Sequence, residues 1–231
     1  MYRQIDFSRV IKTLGKLQKR IEERFPVSGL ANVCEELGSI ASETDSNLKI
    51  ISRPNYWLRG IVAFIISFSV FIIAYSISTF DMKTTSTNLS EILQVAESAV
   101  NDLILIGLAI FFLISLESRI KRSNVLKSLN ELRVIAHVID MHQLTKDPTE
   151  IGETKNRTAS SPKRNMSAYN LKRYLDYSSE MLAIVGKIAA VYAQNIPDPQ
   201  VVSSVNEVEN LTSGISRKIW QKIMILQESQ L

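Results

Sequence analysis

The sequence predicts an all-α membrane protein: a two-transmembrane helical hairpin carrying cytoplasmic amphipathic helices that form a bundle or coiled coil. Three observations point there. Residues 60–80 carry no charge, and a helix of that length reaches about 31 Å, enough to cross a hydrocarbon core about 30 Å thick. A second uncharged run covers residues 103–116. Finally, only 8 glycines and 6 prolines punctuate 231 residues, too few for a turn-rich β fold. The mean hydropathy of +0.05 therefore averages strongly apolar and strongly polar segments.

Residues 1–53 read as an N-terminal cytoplasmic helical hairpin. Phe7, Val10, Ile11, Leu14, Leu17, Ile21 and Phe25 recur with helical period. The opposite face carries Arg3, Arg9, Lys12, Lys16, Lys19, Arg20 and Arg24 against three acids. Such a face either lies on an anionic leaflet or forms the solvated side of a bundle helix. A second helix is expected near residues 30–43, with Leu30, Val33, Leu37 and Ile40 inward and Glu35, Glu36 and Glu43 as its acids. No apolar signal-peptide core precedes Tyr56, so the first span is expected to act as an uncleaved targeting signal. One cysteine excludes an internal disulfide framework and suits a reducing compartment.

Residues 54–117 form the predicted membrane hairpin, with spans at about 58–80 and 99–117 and a short outer loop at 81–88. Pro54 suits a first helical turn, and Tyr56 with Trp57 suits an interface. The run 103–116 is short for a crossing, and extending it back to Ala99 brings Asn101 and Asp102 inside. Without a second crossing, that apolar cylinder is stranded in water. Lys49, Arg53 and Arg59 precede the first span, and Arg119, Lys121, Arg122 and Lys127 follow the second, against Lys83 between them. The positive-inside rule then places both termini in the cytoplasm, with the bacterial inner (plasma) membrane as the expected location.

The segment Asn88-Leu89-Ser90-Glu91 matches a capping box. No proline follows until Pro148, so the second span is expected to continue through a cytoplasmic extension, residues 118–144. Val125, Leu129, Leu132, Ala136, Ile139 and Gln143 alternate by four and three, a seam that fits self-association or an internal bundle. Residues 145–167 are polar, contain two prolines and read as a flexible linker. Residues 168–231 read as a C-terminal antiparallel helical hairpin, split at Asn195-Ile196-Pro197-Asp198-Pro199. With the helix before the linker, these two helices are expected to build a three- or four-helix bundle.

Little here carries chemistry. The glycines are isolated, so no dinucleotide fingerprint, phosphate loop or nucleophile elbow can be written. No catalytic residue, cofactor or zinc pattern is expected. Both histidines fall in one short run, His137, Asp140 and His142. His142 is rotated about 140° from His137 on a helix, unlike metal-binding pairs four residues apart. A metal there would need several copies of the chain; pH-sensitive packing and ordinary polar helix positions are the alternatives. Gly60, Ala63, Ser67, Ala74 and Ser78 share one face of the first span, suited to close helix packing or to a narrow pore lining. Asp102 falls at the depth of Tyr75 and Ser76, either of which could satisfy it. Arg59 and Glu117 meet the cytoplasmic edge together and could pair.

Two functions follow: a non-enzymatic membrane anchor whose cytoplasmic bundle self-associates or binds a partner, or an oligomeric pore with Asn101 and Asp102 near its outer mouth. A cytoplasmic helix, a tight two-span hairpin and further cytoplasmic helices, in that order, resemble the two-transmembrane effector modules of bacterial defence systems, and that likeness implies a pore. Expected partners are membrane lipid, further copies of the chain and a cytoplasmic protein. Nucleic acid is not expected, because the net charge of +4 is spread along the chain.

Overall fold

The computed structural model describes residues 4–51, 56–79, 89–146, 148 and 166–228, and among these every regular element is helical. In chain order they are α1 (Phe7–Arg24), α2 (Gly29–Ile51), α3 (Tyr56–Thr79), α4 (Leu89–Leu144), α5 (Ala168–Asn195) and α6 (Pro199–Glu228). The chain divides into two compact units, Arg53–Lys121 and a second that joins Met1–Ser52 to Arg122–Leu231. The predicted outer loop 81–88, the cap Asn88, the side chain of Glu91 and nearly all of the linker 145–167 lie outside the described residues.

The larger unit is a helical bundle with α5 at its centre. Thirteen residues of α5 are buried, from Leu171 to Tyr192. Projected on a helix at 100° per residue they cover an arc of about 200°. The eight buried positions of α6, including Val201, Val208, Ile215, Ile219 and Ile223, cover only about 80°. A narrow stripe needs one neighbouring surface, whereas an arc that wide needs several. α6 packs along one side of α5, and α1 and α2 pack on it as well as on each other. The expected bundle of three or four helices thus also takes in the N-terminal pair. Val125, Leu129, Leu132, Ala136 and Ile139 of α4 are buried in the same core, so their seam is used inside the chain.

Local chemistry sets the helix ends. The Asp6 carboxylate caps α1 by accepting from the Ser8 N–H at 3.1 Å. Ser28 caps α2, its hydroxyl accepting from the Ala31 N–H at 3.2 Å. Ser167 does the same for α5 through the Asn170 N–H. Asp198 accepts from the N–H groups of Gln200 and Val201 at the start of α6, where Pro199 needs no donor partner. Asp198 also pairs with Arg122 of α4 at 3.4 Å.

Helix α2 runs on past residue 43 to Ile51. Its inward stripe continues through Thr44, which is 1% exposed, to buried Leu48. The Thr44 hydroxyl donates to the Ile40 carbonyl at 2.8 Å and accepts from the Tyr192 hydroxyl at 3.2 Å. A polar residue therefore stands at an apolar position because a central tyrosine satisfies it.

Two consequences are measurable. Val27, between α1 and α2, is fully exposed and has φ 56. A β-branched residue in the left-handed region costs about 1–2 kcal/mol and gains no packing in exchange. Val27→Asn is expected to raise stability by about 1 kcal/mol, read as a higher melting temperature of the full chain in mild detergent. Cys34 is buried, and burial, reinforced by the charge of Glu22, pushes its thiol up to about 12. Its contribution to stability is present in full below the ordinary thiol value of 9.0 and is lost as pH rises toward 12. Native protein at pH 8 is expected to resist a maleimide that labels Cys34 after denaturation.

Candidate functional site

The described residues present three distinctive surfaces: the exposed apolar helices of the smaller unit, a groove on the bundle, and a cluster of cations and tyrosines.

In the smaller unit, α3 and the first part of α4 turn large apolar side chains outward. Phe64 is 68% exposed, Phe71 64%, Leu103 67% and Phe111 72%. Among the described residues one helical stretch, Ala96–Leu144, is long and apolar enough to cross a membrane, and none of its most apolar 18-residue window is buried. Arg59–Ile72 of α3 is a shorter apolar segment. Phe64 stacks on Phe68 and Phe71 on Tyr75, so the rings pack along α3 itself.

The sequence-predicted residues of this unit fall on these outward surfaces. Gly60, Ala63, Ser67, Ala74 and Ser78 are all exposed, and a Cβ placed on Gly60 meets nothing within 4 Å. Asn101, Asp102, Tyr75 and Arg59 are exposed as well. The side chain of Ser76 lies outside the described residues. Glu117 forms an ion pair with Lys121 at 2.8 Å, one turn further along α4.

On the bundle, α2 and α4 leave a groove of about 680 Å³ between them. Its apolar lining includes Val33 and Ile40 of α2 and Val134 and Val138 of α4. Glu36, Glu43 and Glu131 add carboxylates, and no Lys or Arg is among the lining residues. The two glutamates of α2 stand seven residues apart, two turns on one helix face. His142 closes one end: a Cβ added to Gly29 would lie 2.5 Å from its Cε1, so the glycine makes room for the ring.

His137, Asp140 and His142, the run weighed as a metal candidate, do not converge. His137 is exposed, while Asp140 and His142 are half-buried and His142 is turned toward α2. Among the described residues no group of three His, Cys, Asp or Glu side chains could hold a metal ion.

The third surface joins the ends of α1 and α4 to the start of α5. Arg20 binds Glu180 at 2.5 Å and lies over the Tyr177 ring at 5.7 Å. Arg173 covers the same ring at 4.7 Å and pairs with Asp176 at 3.1 Å. Arg24 stacks over Tyr169, and Lys146 over Tyr174. Phe25 meets Tyr174 and Tyr177 edge-on. Burial pushes the Tyr174 hydroxyl up to about 12. Burial also raises that of Tyr177, but hydrogen bonds and charge from Arg173 and Arg24 outweigh it and lower the group overall. Arginines stacked on rings and held by carboxylates clamp these helix ends together.

The groove acids could be glimpsed in the sequence as the acidity of α2. Which of them meet α4 depends on a contact across about 90 residues of chain, which no local pattern encodes. Comparison with models of protein families, with curated proteins and with solved structures gives no match.

The Gly29–His142 contact has a direct test. Gly29→Ala is expected to displace the imidazole and cost on the order of 1 kcal/mol. A shifted His142 ring resonance together with a slightly lower melting temperature would establish the packing; an unmoved resonance would refute it.

Proposed function

We propose that this chain is a non-enzymatic two-span membrane anchor that holds a cytoplasmic helical bundle, and that the bundle self-associates. The observation that carries this reading is the wholly unburied apolar window of α4. In water, so large a patch of outward Phe, Leu and Ile is an aggregation surface; in lipid it is the required one. The exposed aromatic residues of α3 extend the argument to a second crossing. Spans at about 58–80 and 99–117 with both termini cytoplasmic fit the distribution of Lys and Arg. The small residues of α3 are free to pack against another helix in the bilayer.

A second reading, an oligomeric pore, is favoured by one observation: Asn101 and Asp102 lie exposed at the edge of the apolar stretch. Copies arranged around an axis would ring these polar groups at a pore mouth.

Alkaline carbonate extraction of membranes together with cysteine mapping tests the anchor. The chain is expected to stay in the pellet. Thr85→Cys should react with an impermeant maleimide from outside, and Ser213→Cys only after permeabilisation. Release by carbonate, or outside labelling at position 213, overturns the reading. For the pore, Asp102→Asn is expected to change ion conductance in liposomes, and an electrically silent wild type removes that reading while leaving the anchor intact.

A further inference from the structure

The bundle carries two unpartnered surfaces that match one another. The groove between α2 and α4 has an apolar lining, with Val134 53% exposed, and three carboxylates without a cation among its lining residues. The second surface is the outer side of the last turns of α6. There Trp220, Met224 and Ile225 are exposed, as are Arg217 and Lys218. The inner side of α6 is already committed to the core through Ile215, Ile219 and Ile223. Its N-terminal half turns Ser203, Asn206, Glu207 and Asn210 outward, as a solvated bundle helix should. The outward apolar residues gather chiefly at the other end.

We infer that the outer face of α6 in one copy of this chain docks into the α2–α4 groove of another. The inference rests on the self-associating form of the function proposed above. Trp220 and Met224 stand one helical turn apart, and Arg217 lies within about 60° of Trp220 around the axis. Trp220 borders the buried stripe of α6, and Met224 and Arg217 follow it on the outward arc, so one face offers an aromatic anchor, an apolar neighbour and a positive charge to a groove. The groove offers negative charge where the helix brings positive charge, which fixes the orientation of the contact as well as its partner. A second copy is the occupant because both halves of the match are on this chain. Since the two surfaces are different patches, the contact is heterologous, and its repetition builds a ring or an open filament according to the rotation between copies.

The test uses the full chain in membranes. One copy carries Val134→Cys and a second, differently tagged copy carries Met224→Cys, both at exposed positions. Oxidation is expected to give a cross-linked dimer of the two tagged forms, and none when Lys187→Cys replaces Met224→Cys. Reversing the groove charges (Glu36→Lys with Glu43→Lys) or the helix charges (Arg217→Glu with Lys218→Glu) is expected to reduce the yield about tenfold. Combining both reversals in each copy should restore it. Absence of the cross-link, an equal yield with the control, capture of a different protein by Val134→Cys, or failure of the combined reversal to restore it overturns the inference. Carbonate extraction of the same membranes separates the two levels. An embedded chain that does not cross-link loses only this interface, whereas a cross-linked chain released by carbonate loses only the anchor.

Discussion

The bundle depends on the width of the apolar arc of α5. A helix with a narrow stripe is satisfied by one neighbour, and the two C-terminal helices alone would then have made a complete hairpin. An arc of about 200° cannot be covered by α6, because a single packed helix shields only part of a cylinder. Leu17 and Ile21 of α1 and Leu30 and Leu37 of α2, each no more than 1% exposed, supply part of the missing cover. Arg20 with Glu180 and Thr44 with Tyr192 then tie those N-terminal helices to α5 by polar contacts. The chain ends are brought into one core because the central helix has more apolar surface than its neighbour in sequence can cover.

Much of this was legible from residue spacing. The stripe of α1, the turn at Asp198-Pro199, the length of α4 and the apolar runs of α3 and α4 all follow from patterns within a few turns. What was not legible depends on distant partners. Thr44 interrupts an apolar period, and only the hydroxyl of Tyr192, 148 residues away, makes it a core residue. For the candidate sites the division is similar. The acidity of α2 and the grouping of His137, Asp140 and His142 are visible in one dimension. That Glu36 and Glu131 line one groove, and that His142 turns toward Gly29, is decided by where the fold sets α2 beside α4.

Charge is divided between surfaces in a way the total of +4 conceals. Cations gather along α1 and at the clamp around Tyr177, where several are matched by Glu180, Asp176 or aromatic faces. Carboxylates gather at the α2–α4 groove. Oppositely charged surfaces on one chain favour ordered contacts between copies and weaken as salt rises, whereas a uniformly basic surface would repel its own kind.

The division of the bundle across the chain sets the order in which it can form during synthesis. Residues 1–52 leave the ribosome before the rest of the bundle, yet the surface they cover on α5 is not complete until Asn195 has been made. At about 5–20 residues per second, the N-terminal helices wait roughly 7–30 s for it. The apolar segments of α3 and α4 are translated within that interval. Leu17, Ile21, Leu30 and Leu37 therefore spend it without their final cover, and on the anchor reading proposed above the entry of α3 and α4 into lipid precedes completion of the bundle.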